Sequence, residues 1–153
     1  MVCVTFPLYW CLKVERLADG GSEDATNSDR TWLPVSDEAY FEMRYAGTSS
    51  SIASLPGMYE RTVILYTFSK KFAMTGWRLG AAIAPTELAN QIAKLNTNDE
   101  SCTTHFVQYG GVEGVRGDQS SIPKMLNTLK ERRDIAVNML NAMPGVSCHS
   151  PEA

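Results

Sequence analysis

The apolar run Thr62-Val63-Ile64-Leu65-Tyr66-Thr67-Phe68, followed at once by Ser69-Lys70-Lys71-Phe72-Ala73-Met74-Thr75-Gly76-Trp77-Arg78-Leu79-Gly80, constrains the fold more than any other feature. The run is β-branched and aromatic, without Pro or Gly, and predicts a buried strand. A lysine therefore stands just past the end of a central strand, among small and hydroxyl residues. Eight residues on comes Arg78, two positions after Gly76, which lets the backbone turn. A rigid anchor, partial burial and a nearby anion site suit a lysine that acts as an amine nucleophile. A bare Lys-Lys pair after a strand would read as a solvated basic turn. The frame around this pair argues for more.

This stretch resembles the lysine motif of the fold-type I, pyridoxal-phosphate-dependent aminotransferases of class I/II. Thr67-Phe68-Ser69-Lys70 and Met74-Thr75-Gly76-Trp77-Arg78-Leu79-Gly80 carry the match, with Thr67 in place of the usual Ser or Gly. Upstream, Ser36-Asp37-Glu38-Ala39-Tyr40 is similar to the Asp-Glu-x-Tyr element that follows a neighbouring parallel strand in that family. In doubly wound sheets, ligand groups gather past the carboxyl ends of adjacent strands, where Asp37 and Lys70 are both expected.

Composition sets bounds on this reading. The chain has 153 residues, 44% of them hydrophobic, enough for one domain with a core. The net charge is −3, and the densest basic cluster, Lys130-Glu131-Arg132-Arg133, is interleaved with acid, so no nucleic-acid surface is expected. Four cysteines (Cys3, Cys11, Cys102, Cys148) are scattered without a Cys-x-x-Cys pair, which speaks for reduced thiols and a cytoplasmic setting rather than a disulfide or zinc framework. Met1 to Leu12 is apolar but lacks the basic start and cleavage site of a signal segment. No run reaches the length of a membrane span.

Along the chain, Met1 to Leu17 fits a strand or a short helix, and Asp19 to Arg30 reads as a polar loop. Trp32 to Ser36 predicts a short strand, with Pro34 marking an edge or distortion. Gly47 to Ser51 and Leu55-Pro56-Gly57 are loop and turn. The small-residue run within Trp77 to Ala84 predicts a closely packed strand. Helices are expected from Pro85 or Thr86 to about Leu95, from Thr103 to Val115, and from a Ser120 or Ser121 cap to about Met143, stopped by Pro144-Gly145. Gly110 and Gly114 would permit close helix packing. Trp77 and Met74 are expected in the core, and His105 and His149 show no partner spacing.

The resemblance covers about Thr31 to Ala153 and implies an α/β fold. It corresponds to part of the three-layer α/β/α large domain of these transferases, followed by helices of the small domain. The boundaries are an unassigned segment at 1–30, a partial cofactor-binding domain at 31–117 and the start of a small domain at 118–153. The resemblance implies pyridoxal 5'-phosphate as cofactor, with Lys70 as the condensing and proton-moving amine. Asp37 would pair with the ring nitrogen, Tyr40 with the phenolic oxygen, and Arg78, Ser69 and Thr67 with the phosphate. Glu38 reads as supporting or solvated. Asn98, Thr104 and Gln108 fall in a region that lines a subunit contact in the family.

An amino acid and a 2-oxo acid are the implied substrates, a homodimer the implied state of the full-length protein. Members of the family are longer, and their carboxylate-binding arginine and ring-stacking aromatic have no counterpart here. The chain is therefore expected to be a partial, weakly active or inactive form. Two other readings stay open. One is a carbon–sulfur lyase or decarboxylase on the same fold, since Lys70 and Asp37 serve all of them. The other is a non-catalytic truncated product whose bare sheet edges invite aggregation.

Overall fold

The structure, a computed structural model, describes residues 33–153. The expectations for the first thirty residues, and for Cys3, Cys11 and Trp32, lie outside the described residues. Among the described residues three strands are present: β1 (Val35–Asp37), β2 (Val63–Thr67) and β3 (Gly80–Ile83). Three helices follow: α1 (Thr86–Asp99), α2 (His105–Arg116) and α3 (Ser121–Asn141). The sheet order is β1-β2-β3. β1 and β2 are parallel, with Val35 opposite Val63 and Asp37 opposite Leu65. β3 returns antiparallel, with Ile64 opposite Ile83 and Thr67 opposite Gly80. The sheet is thus mixed.

Side chains alternate across a strand, so β2 feeds both faces of the sheet. On one face, Tyr66 and the following Phe68 meet Phe72, Met74, Leu79 and Val107 of α2. On the other, Val63 and Leu65 meet Val35, Ala82, and Leu88 and Ile92 of α1. Helix, sheet and helix form the expected three layers. Because both faces of β2 are covered, its sequence is continuously apolar rather than alternating. Phe68 is 1% exposed and anchors the first cluster, edge-on to Tyr66 and stacked on Phe72, each with centroids 5.5 Å apart. Burial of a side chain of that size contributes roughly 1.5–3 kcal/mol.

α2 comes close to the sheet because its inward positions lack side chains. A Cβ on Gly111 would lie 2.5 Å from Leu79 Cδ2, and one on Gly110 would lie 3.0 Å from Trp77 Cζ3. Gly110 and Gly114 were legible as packing positions; Gly111, the tightest, was not singled out by its spacing. Trp77, expected in the core, is 47% exposed. It belongs to a short 3-10 turn (Thr75–Trp77) ahead of β3, and its ring covers Gly110 and Phe106 from outside. Met74 is buried as expected.

The helix limits differ in physical detail from the sequence pattern. α1 runs on to Asp99 although Asn96 to Asp99 is polar. Thr97 Oγ1 donates to the Ala93 carbonyl (2.9 Å) and Asn98 Nδ2 to the Lys94 carbonyl (3.0 Å), so these side chains bond back to the helix instead of ending it. At α3 Ser120 is the N-cap, one of the two expected, but its hydroxyl caps no helix N–H; instead Asp118 Oδ1 accepts from the Ser120 N–H at 2.9 Å. Gly145 ends that region in a left-handed conformation, φ +77°. α3 has no buried residue. Arg133 links it to the rest, stacking over Tyr45 at 4.7 Å and donating to the Pro151 carbonyl at 2.8 Å. The Glu152 carbonyl in turn accepts from Tyr45 N–H at 2.8 Å.

Candidate active site

The parallel pairing of β1 and β2 brings their carboxyl ends to one edge of the sheet. Asp37 closes β1. Thr67 closes β2, and Ser69 and Lys70 follow in a tight turn held by Phe72 N–H to the Phe68 carbonyl and Ala73 N–H to the Lys70 carbonyl. After β1 the chain turns through Glu38 to Met43. Glu38 N–H donates to the Leu65 carbonyl at 3.0 Å, which ties this turn to β2. Tyr40 lies in this turn. Lys70 Nζ lies 5.2 Å from the centroid of the Tyr40 ring, inside the range of a cation–π contact. Tyr40 is 60% exposed, so it is not a core side chain.

Asp37 is exposed at the strand end, and its Oδ1 accepts from the Ala39 N–H at 3.1 Å. Thr67 Oγ1 donates to Ser69 Oγ (3.0 Å) and accepts from Ser69 N–H (3.2 Å). Ser69 is buried, and Thr75 Oγ1 donates to its carbonyl at 3.3 Å. The hydroxyl pair is thereby fixed where the strand ends. Arg78 is exposed, with Nη1 donating to the Thr75 carbonyl at 3.2 Å. Its backbone is left-handed, φ +53°, as is that of Ala73, φ +52°. Each costs about 1–2 kcal/mol in a residue with a Cβ, the kind of strain that collects at ligand sites.

Glu38 accepts from the hydroxyls of Ser36 and Ser51, so it is engaged rather than free. Gln108 Nε2 bonds the Thr103 carbonyl at 2.8 Å, and His105 meets Tyr109 edge-on at 5.2 Å. Cys102 and Cys148 are free thiols. Among the described residues no cluster could hold a metal ion, and no helix is long and apolar enough to cross a membrane.

The sequence reading missed one residue of this region, Glu42. Its Oε1 lies 2.7 Å from Lys71 Nζ, and its Oε2 accepts from the Tyr66 hydroxyl at 3.2 Å. Burial, and then the Glu42 charge, push the Tyr66 phenol well above its ordinary range. Neither contact is signalled locally, because each spans more than twenty residues of sequence.

A basic side chain beside a tyrosine, a strand-end carboxylate and a fixed hydroxyl pair stand at the carboxyl edge of the parallel strands, the edge where α/β sheets gather ligand groups. Comparison with known proteins gives the particular family. Residues 25–153 match the family described as aminotransferase class I and II, starting somewhat before the expected Thr31. The chain belongs to that family. It is similar to an aspartate aminotransferase of Musicola paradisiaca, 42% identical over 119 residues that cover 77% of this chain and 30% of that protein. It is equally similar, 42% over 119 residues, to the putative aminotransferase YugH of Bacillus subtilis, covering 78% of this chain and 31% of the relative.

Among solved structures, the aspartate aminotransferase of Rhizobium meliloti superposes with a TM-score of 0.74 at 34% identity, over 78% of this chain and 30% of the other. The aromatic aminotransferase of Pyrococcus horikoshii gives 0.72 at 36% identity, over 77% and 32%. The chain thus spans about a third or less of the length of these relatives.

Proposed function

We propose that this chain carries the lysine-bearing part of an aminotransferase site. In the complete reaction an amino group passes from an amino acid to a 2-oxo acid with pyridoxal 5'-phosphate as cofactor. The observation that carries the reading is Lys70 Nζ over the Tyr40 ring at the shared carboxyl edge of two parallel strands. The donor set suits the cofactor group by group. Arg78 offers an exposed guanidinium to a phosphate, with the Thr67 and Ser69 hydroxyls beside the same strand end. Asp37 offers a carboxylate oxygen to a protonated ring nitrogen, and Tyr40 a hydroxyl to a phenolate oxygen.

When bound, the cofactor supplies an aldehyde and an electron-withdrawing pyridinium ring. Lys70 would be the amine that holds that aldehyde, and its amine would then serve as the base and acid for the proton at the substrate's Cα. The Asp37 carboxylate would hold the proton on the ring nitrogen, and the Tyr40 hydroxyl would donate to the oxygen beside the reacting carbon. Residues 31–117 would be the cofactor-binding part and 118–153 the start of a second unit, a division supported by the absence of α3 residues from both core clusters. A homodimer and a cytoplasmic setting complete the proposal.

Titration of the chain with pyridoxal phosphate, followed by absorbance, tests the reading. Saturable binding of one equivalent is expected. Arg78→Ala should weaken it by about ten-fold or more, the loss of a charge-assisted hydrogen bond. Unsaturable binding, indifferent to Arg78, would overturn it.

A further inference from the structure

Two lysines stand side by side past the end of β2, and their side chains part. Lys70 Nζ lies over Tyr40 and has no carboxylate partner among the described residues. Lys71 Nζ is held 2.7 Å from Glu42 Oε1, with side chains 20% and 39% exposed, and packs 5.1 Å from the centroid of Phe72. Glu42 itself is anchored, since its second oxygen accepts from Tyr66, a β2 residue set edge-on against the buried Phe68. Tyr40 and Glu42 belong to the same turn, so one turn receives both lysines on different side chains. An amine must swing its nitrogen clear of other contacts to attack a carbonyl carbon. Lys71 would first have to leave Glu42.

We propose that Glu42 is a positioning residue that tethers Lys71 and leaves Lys70 as the amine free to condense with a carbonyl ligand. The purpose of the tether rests on the reading of Lys70 given above, but the tether is measurable without the cofactor. A partly exposed ion pair of this kind corresponds to about a two- to five-fold difference in reactivity.

The test is competitive reductive methylation of the whole chain with limiting formaldehyde and cyanoborohydride, mapped by tandem mass spectrometry. Lys71 is expected to react about two- to five-fold more slowly than Lys70, and Glu42→Gln to bring the two rates together. Glu42→Gln keeps an acceptor for Tyr66, and circular dichroism checks its fold. Independently of any substitution, the wild-type ratio should move the same way, by a smaller amount, in about 1 M salt, because partly exposed ion pairs are weakened by salt. A merely structural role would change both lysines together and leave the ratio alone. Lys71 reacting as fast as Lys70 in the wild type, or a ratio unmoved by both salt and Glu42→Gln, overturns the tether. Pyridoxal phosphate labelling in parallel separates the two ideas. A protected Lys71 with no adduct at Lys70 leaves the tether standing and refutes the cofactor reading; an unprotected Lys71 beside a labelled Lys70 does the reverse.

Discussion

Replacing Phe68 by alanine should remove the largest single support of the site. The ring is 1% exposed and contacts Tyr66, Phe72, Met74, Leu79 and Val107, so nothing nearby can collapse into the space without moving β2 or α2. Large-to-small changes of this kind cost about 3–5 kcal/mol. A domain holds only about 5–15 kcal/mol in all, so the loss is a large fraction. With a urea slope of about 2 kcal/mol per molar, the unfolding midpoint should fall by roughly 1.5–2.5 M. The backbone of Phe68 also links the strand end to the Arg78 side, its N–H donating to the Leu79 carbonyl at 3.2 Å. Binding at Lys70 should therefore weaken with stability. Phe106, 68% exposed, is the control: Phe106→Ala should change stability by no more than about 0.5 kcal/mol. If Phe68→Ala costs no more than Phe106→Ala in the same urea titration, the core assignment is wrong.

Gly111→Ala should be less stable than Gly114→Ala by about 1–3 kcal/mol, because the helix-propensity gain is common to both and only Gly111 faces Leu79 at 2.5 Å, against 3.6 Å to Phe72 for Gly114; thermal melts of the pair decide it. Thr103 Oγ1 is buried without a hydrogen-bond partner among the described residues, so Thr103→Val should be neutral or stabilising, by up to about 1–3 kcal/mol, in the same assay. Tyr66 is raised in the folded chain, so its contribution is intact below about pH 10, where the unfolded chain begins to ionise, and is lost as pH climbs further. Tyr66→Phe should flatten the alkaline limb of stability against pH; an unchanged limb would contradict the burial of that phenol. Turnover of an amino acid and a 2-oxo acid by this chain should be poor, since substrate-carboxylate binding has no assigned residue here; robust turnover would refute that.

What the sequence disclosed follows from where the information was local. β2 and the Lys70 turn were legible because a strand buried on both faces must be apolar throughout. The Asp37 and Lys70 placement followed from the rule for carboxyl ends of parallel strands. The antiparallel return of β3 was not legible, since a run of small residues packs in either direction. Trp77 sits in a 3-10 turn closed by a left-handed Arg78, a conformation that no propensity signals, and it is exposed there rather than buried. α1 was expected to end near Leu95 because the back-bonding of Thr97 and Asn98 to the helix is invisible in composition. Glu42 escaped notice because its partners are distant in sequence, although it is the residue that tells Lys71 from Lys70.

The most direct test of the central claim is to fix pyridoxal phosphate on the chain with borohydride, digest it, and locate the label by mass spectrometry. One label per chain on Lys70, lost in Asp37→Ala, is the predicted result. Label scattered over Lys71, Lys94, Lys124 and Lys130, indifferent to Asp37, would mean that these residues do not form the site.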